Sequence, residues 1–238
     1  MCETWHTQNI QSTFSLNHRT INIKAVKSAV RGRASGGLLI TYDIKRYPNV
    51  EDIAEHNNYI CIKLSICNQL FLIGNVYINQ ATDTQTIFND LDEVLQMYSE
   101  VYKEASIIIG GDFNARVADK GVCEENQLPA TGLFSNKRES LDNILNNRGL
   151  DLLDFCKRYE LFISNGRVPG DWPSQFTYFG VQGSSVIDIA VCNIKALHMI
   201  KDFNVIQYLT KSDHLPISIT LDLNENQNQN LDKKEKIK

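Results

Sequence analysis

The sequence predicts a single layered α/β domain. Three observations carry this. Residues 59–66 and 70–78 are apolar runs of strand length on either side of Asn68-Gln69. Residues 84–104 repeat apolar side chains at helical spacing. Ile107-Ile-Ile109 then forms a further β-branched run that stops at Gly110-Gly111. A strand, a helix and another strand in that order make the unit from which layered α/β folds are built.

The 238 residues are 42% apolar and 22% charged, the composition of an ordinary globular domain. A chain of this length buries roughly 70% of its unfolded surface, so its core needs no disulfide or metal staple. The cysteines are Cys2, Cys61, Cys67, Cys123, Cys156 and Cys192, with no C-x-x-C pair among them. They read as reduced core residues of an intracellular protein and argue against a cysteine-rich zinc site. No apolar run approaches the ~18 residues of a membrane span. The opening Met-Cys-Glu-Thr-Trp-His lacks the basic and apolar regions of a signal peptide. A net charge of −4 argues against a strongly basic DNA coat. It leaves room for an enzyme that binds a few phosphates locally and brings a metal cation.

Taken in order, the chain reaches Glu3 and Trp5 with almost nothing ahead of them. Glu3 is either the end of a strand whose body is missing or a solvated terminal residue. Residues 10–35 carry Arg19, Lys24, Lys27, Arg31 and Arg33 with few acids. They fit a phosphate-contacting stretch and a solvated loop equally well. Gly36-Gly37 leads into a strand over 38–43. Tyr77, near the end of the second hairpin strand, is either a core ring with its hydroxyl at the surface or a phosphate contact. The helix over 84–104 sets Ile87, Phe88, Leu91, Leu95, Tyr98 and Tyr102 on one face, capped by Asp83 or Thr84. Beyond Ile109, Asp112 and Asn114 project from the carboxyl end of a strand, where open α/β sheets place ligands. A plain Gly-Gly-Asp turn is the other reading.

Residues 116–138 are polar and irregular, a long connection of the kind that borders sites. Residues 139–159 return to helical spacing, and Asn146-Asn-Arg-Gly149 splits them into two helices. Leu161–Ser164 is a short strand. Asp188 interrupts an apolar strand over 185–192. A buried carboxylate is costly without a partner; a solvated strand face is the alternative. Ser212-Asp213-His214-Leu-Pro216 precedes a strand in which Ile217, Ile219, Leu221 and Leu223 alternate with polar residues. A lone Asp-His pair usually caps a turn, but here His214 could supply the partner that Asp188 needs. Residues 224–238, rich in Asn, Gln and Lys, predict a disordered polar tail.

Glu3, Asp112 and Asp213 are oxygen donors of the kind that Mg²⁺ takes together with water and a substrate phosphate. An Asp on one ring nitrogen of a His raises its basicity and fixes its tautomer. A metal and a protonated His both stabilise the charge that gathers on a phosphoryl group in transfer. No Ser/His/Asp elbow, Walker loop or Gly-x-Gly-x-x-Gly is present.

Glu3-Thr-Trp5, Gly111-Asp-Phe-Asn114, Ile187-Asp-Ile189 and Ser212-Asp-His214 occur in the order of the motifs of the endonuclease/exonuclease/phosphatase (DNase I-like) superfamily. The chain resembles that superfamily over residues 1–223. Gly36-Gly37, Asn75-Val-Tyr77 and Asn147-Arg-Gly-Leu followed by Leu152-Leu-Asp-Phe-Cys156 look most like the endonuclease domain of LINE-type non-LTR retrotransposons. The resemblance implies a four-layer α/β sandwich, two packed and mostly antiparallel sheets with outer helices. It implies hydrolysis of a DNA phosphodiester, dependent on Mg²⁺ or Mn²⁺, that leaves a 3′-hydroxyl and a 5′-phosphate. It implies a monomer acting on DNA, without membrane attachment, inside the cell and in the nucleus. By motif, Glu3 is the metal ligand with Asp213 nearby. Asp112 positions or deprotonates the attacking water, and Asn114 orients it. His214, held by Asp188, stabilises the transition state, and Tyr77 contacts the phosphate. Two departures stand out: the family's first strand, which bears an Asn, would precede Glu3, and no reverse transcriptase follows. A fragment of an element explains both. The competing expectations are a catalytically dead remnant, and a phosphatase of the same superfamily acting on a lipid or inositol phosphate.

Overall fold

A computed structural model of the chain describes residues 4–8, 16–27, 34–121, 135–207 and 212–223. In chain order the elements are β1 (His18–Ile23), β2 (Leu38–Asp43), β3 (Val50–His56), β4 (Tyr59–Ile66), β5 (Gln69–Tyr77), α1 (Thr84–Tyr102), β6 (Ser106–Asp112) and α2 (Asn147–Arg158). They continue with β7 (Phe162–Ile163), β8 (Tyr178–Gly180), β9 (Gly183–Ser185), β10 (Asp188–Cys192), α3 (Ile194–Met199), β11 (Ile200–Val205) and β12 (Ile217–Leu221).

Six of the strands form one sheet in the order β3-β4-β5-β6-β10-β7. Only β5 and β6 run parallel, because α1 carries the chain back across the sheet between them. The β4–β5 hairpin turns at Cys67 and Asn68, whose φ of 50° and 61° match the twist of tight hairpins. The turn thus lies one residue earlier than the sequence predicts, and it leaves Cys67 exposed. Cys61, Cys156 and Cys192 are buried thiols, as expected of core residues.

Alternation along the strands builds two cores. One face of the sheet sets Leu72, Val76, Ile109 and Val191 against Ile87, Phe88 and Leu91 of α1 and Leu152 and Phe155 of α2. Asp83 caps α1 by accepting from the Thr86 N–H at 3.1 Å. Phe113, fully buried, stacks on Phe88 with ring centroids 6.4 Å apart. Burying a ring of that size contributes about 1.5–3 kcal/mol. It also pins the backbone just past Asp112 to the helical side. The opposite face sets Ile60, Ile62 and Phe71 against Ile21 and Leu38 of the β1–β2 pair. On that same face Ile108, Ala190 and Cys192 pack on α3 and on Ile217 and Ile219 of β12.

The fold is therefore mixed α/β, as the sequence predicts. Among the described residues the second layer is two separate antiparallel pairs, β1–β2 and β11–β12, rather than one sheet. Arg19, Lys24 and Lys27 are exposed, Arg19 on β1 rather than in a loop. Arg31 and Arg33, the connection 122–134 and the tail 224–238 lie outside the described residues.

The expected helix over 139–145 does not form. Asp142 instead accepts the Ile144 N–H at 3.1 Å and the Val186 N–H at 3.0 Å, a local and a distant bond that displace helical ones. Leu141, Ile144 and Leu145, whose spacing imitates a helix, are exposed. Asn146 becomes the cap of α2 by accepting from the Gly149 N–H at 2.8 Å. No described helix is long and apolar enough to cross a membrane.

Candidate active site

The register of three adjacent strands assembles the site. Tyr77 pairs with Asp112 across β5–β6, and Asp112 pairs with Asp188 across β6–β10. Paired residues project to the same side of a sheet, so the three side chains form a row on the face away from α1 and α2. Gly111 permits this row. Its φ is 146°, and a Cβ there would lie 1.9 Å from the Val76 carbonyl oxygen.

Asp112 is buried, and both its oxygens are engaged. Oδ1 accepts the Asn114 N–H at 2.9 Å and Oδ2 accepts the Asn114 Nδ2 at 3.0 Å. Asn114 also donates to the Ile78 carbonyl at 3.1 Å. Its φ of 48° lies in the left-handed region that Asn tolerates. The Asp112–Asn114 unit is thus fixed, and it follows the strand: Gly110, Gly111 and Asp112 are the last residues of β6 rather than a plain Gly-Gly-Asp turn.

His214 arrives from the other end of the sequence. The Phe179 N–H donates to the Asp213 carbonyl at 2.8 Å, and the Leu215 N–H donates to the Thr177 carbonyl at 2.7 Å. The His214 ring lies 4.8 Å from the Tyr178 ring. Its Nδ1 meets both Asp188 oxygens, at 3.1 and 2.9 Å. Burial pulls the imidazole pKa down and is the largest single influence. The hydrogen bond and charge of Asp188, with the charges of Asp112 and Asp213, outweigh it and raise the pKa to about 9. Asp188 is thus the partnered carboxylate at the start of β10, not one on a solvated face.

This predicts a pH signature of folding. The folded pKa, about 9, lies above the ordinary 6.5. The stabilisation is therefore full below about pH 6.5 and is lost as pH rises through about 9. The gap corresponds to about 3 kcal/mol. Urea midpoints should fall across that window, and Asp188→Asn should flatten the fall; an unchanged slope in the variant would show that the pair is not the cause.

Glu3 lies outside the described residues. Its neighbours Thr4 and Trp5 donate their N–H groups to Gly37 and Gly36, both at 3.1 Å. A Cβ on Gly36 would sit 3.7 Å from the Tyr77 ring, so this edge borders the row. Asp213 is exposed beside His214. Among the described residues no three His, Cys, Asp or Glu side chains form a metal-binding group.

A row of this kind at strand ends invites comparison with known proteins. Residues 71–218, well over half of the chain, match the family model described as endonuclease-reverse transcriptase. The chain belongs to the endonuclease-reverse transcriptase family. Solved structures share its fold. The endonuclease domain of TRAS1, a telomere-specific non-LTR retrotransposon, is 16% identical, with 88% of this chain and 82% of that chain covered and a TM-score of 0.60. The AP endonuclease LMAP from Leishmania major is 11% identical, with 86% and 70% covered and a TM-score of 0.58. The 3′-5′ exonuclease NExo from Neisseria meningitidis is 14% identical, with 87% and 80% covered and a TM-score of 0.53. No curated protein matches. Through that family the chain is a member of the endonuclease/exonuclease/phosphatase superfamily, and its fold is the DNase I-like one that these nucleases share.

Several residues join the site to which the sequence assigns no role there. Thr177 is fully buried, and its hydroxyl accepts the N–H groups of Ile187 at 3.1 Å and Asp188 at 3.0 Å. Asn165, also fully buried, bonds the backbone of Asp188 and Ala190. Arg148 donates to the carbonyls of Asn79, Gln80 and Thr82, bracing the connection that follows β5. All of these act on main-chain groups far away in sequence, which leaves no local pattern to read.

Proposed function

We propose that the chain is a Mg²⁺-dependent DNA endonuclease that leaves 3′-hydroxyl and 5′-phosphate ends, as in the nicking of a retrotransposon target site. One observation carries the reading: Tyr77, Asp112 and Asp188 stand in one row, and His214 is laid on Asp188 at 2.9 Å. The likeness in fold to a retrotransposon endonuclease domain supports the choice of DNA.

The donors at this end of the sheet, Asp112, Asn114 and Asp213, offer hard oxygens, and carboxylates with water and a substrate phosphate are what Mg²⁺ takes. Asp213 and Glu3 would hold the ion, which when bound supplies positive charge against the phosphate oxygens. Asp112 takes the proton of the attacking water, and Asn114 orients that water. His214 carries its proton at neutral pH and donates from Nε2 to a phosphate oxygen as charge gathers there. Asp188 keeps the ring charged and aimed. The Tyr77 hydroxyl contacts the phosphate. The nuclease domain spans residues 1–223 and acts as a monomer on chromosomal DNA in the nucleus.

Supercoiled plasmid tests this directly. Purified chain with Mg²⁺ should nick it, EDTA should stop the nicking, and DNA ligase should reseal the nicks. Intact plasmid in the presence of a folded chain would overturn the activity. Nicks that ligase cannot seal would overturn the end chemistry, and nicking in EDTA the metal.

A further inference from the structure

Among the described residues, no strand pairs with Asp188 on the outer edge of β10. β7 is two residues long and pairs only with Val191 and Cys192. The Ser164 N–H still donates to the Ala190 carbonyl at 2.8 Å, after which the chain turns at Gly166, with φ 71°. The partly buried backbone groups of Asp188 on that side, and the buried Ala190 N–H, would then lack partners, which is rare and costly for groups shielded from water.

Asn165 fills the gap with its side chain. Its Nδ2 donates to the Asp188 carbonyl at 3.1 Å, and its Oδ1 accepts the Ala190 N–H at 2.9 Å. One carboxamide thus stands where the next peptide group of β7 would stand. Thr177 completes the edge by accepting the Asp188 N–H. Asn165 is itself fixed, because the buried Arg138 donates from Nε to the Asn165 carbonyl at 2.7 Å. Arg138 also donates to the carbonyls of Ala118 and Lys120.

We propose that Asn165 is a positioning residue for the Asp188–His214 pair, acting as a surrogate strand that fixes the Asp188 backbone and so the aim of its carboxylate at His214. This rests on the endonuclease reading for its kinetic arm only. An Asp at 165 has nearly the same shape but only accepts, so it faces the Asp188 carbonyl with the wrong sign. Asn165→Ser is neutral and too short to reach both groups.

The test uses the full chain and two readouts. In protein labelled with ¹⁵N-histidine, the His214 Nδ1 resonance should move in Asn165→Asp while thermal unfolding stays cooperative. If that variant does not fold, Asn165→Ser should give the same displacement. Nicking should fall about 10–100-fold, the usual consequence of losing a group that orients a site ligand. In a His214→Ala background the same change at 165 should alter the rate by less than about two-fold, because the pair it aims is gone. An unmoved His214 resonance in the folded variants overturns the proposal, as does an equal loss in both backgrounds. If the unaltered chain nicks no DNA, the endonuclease reading fails, and the resonance alone decides this inference.

Discussion

Replacing His214 with alanine should slow plasmid nicking by about 10²–10³-fold, the loss that follows removal of one donor aimed at developing charge. The expectation comes from where the imidazole is held. Its Nδ1 lies 2.9 Å from the Asp188 carboxylate, and the two side chains are 24% and 15% exposed. With a pKa of about 9 the ring carries its proton throughout the neutral range. Alanine removes that proton and leaves the Asp188 charge half-buried without its partner. The loss should appear in kcat, while KM for plasmid changes little, since contacts to the rest of the DNA are untouched. Asp188→Asn should give a smaller loss of the same kind, because the ring keeps its place and loses its charge partner. Single-turnover nicking at fixed Mg²⁺ checks both. A His214→Ala chain that nicks at the unaltered rate would remove His214 from the chemistry.

What the sequence makes legible divides along a physical line. Tyr77, Asp112, Asn114 and His214 can be read because each sits where an apolar strand begins or ends, and Asp188 because a carboxylate interrupts an apolar run. The structure brings all five together. β4, β5 and β6 are legible as apolar runs, α1 by its helical spacing, and β12 by the alternation of Ile217, Ile219 and Leu221 with polar residues. β1, β3 and β11 carry polar residues at both alternating positions, and β8 and β9 are only 3 residues each, so none of them shows a clear period. The residues that hold the site's backbone leave no periodic trace at all. Asn165, Thr177 and Asp142 bond main-chain groups 10–44 positions away, and only the folded chain shows which. The helix wrongly expected over 139–145 has the same origin. Leu141, Ile144 and Leu145 repeat at helical spacing, but Asp142 between them has stronger bonds to make elsewhere.

Asp142→Ala should cost about 3–5 kcal/mol of folding stability, the loss expected when one member of a buried ion pair is removed. Its side chain is 1% exposed, against 26% for its partner Arg116. Four donors converge on it: Arg116 Nε at 2.8 Å, Arg116 Nη2 at 2.6 Å, the Val186 N–H at 3.0 Å and the Ile144 N–H at 3.1 Å. Burial works to raise the carboxyl pKa and is the largest influence. The hydrogen bonds from Arg116, Val186 and Ile144 together overcome it and hold the pKa below the ordinary 3.8. Its contribution is therefore present above that ordinary value and is lost as pH falls through the depressed one. Alanine leaves the guanidinium without its carboxylate and the Val186 N–H buried without an acceptor. Because Val186 leads directly to Asp188, the molecules that stay folded should also nick more slowly. Asp154→Ala is the internal comparison. Asp154 also pairs with an arginine, Arg158, but its side chain is 61% exposed, so its loss should stay within about 0.5 kcal/mol. Urea unfolding of the three chains at neutral pH separates the cases. A loss at Asp142 no larger than that at Asp154 would mean that water, not Asp142, satisfies Arg116 and Val186 once the carboxylate is gone.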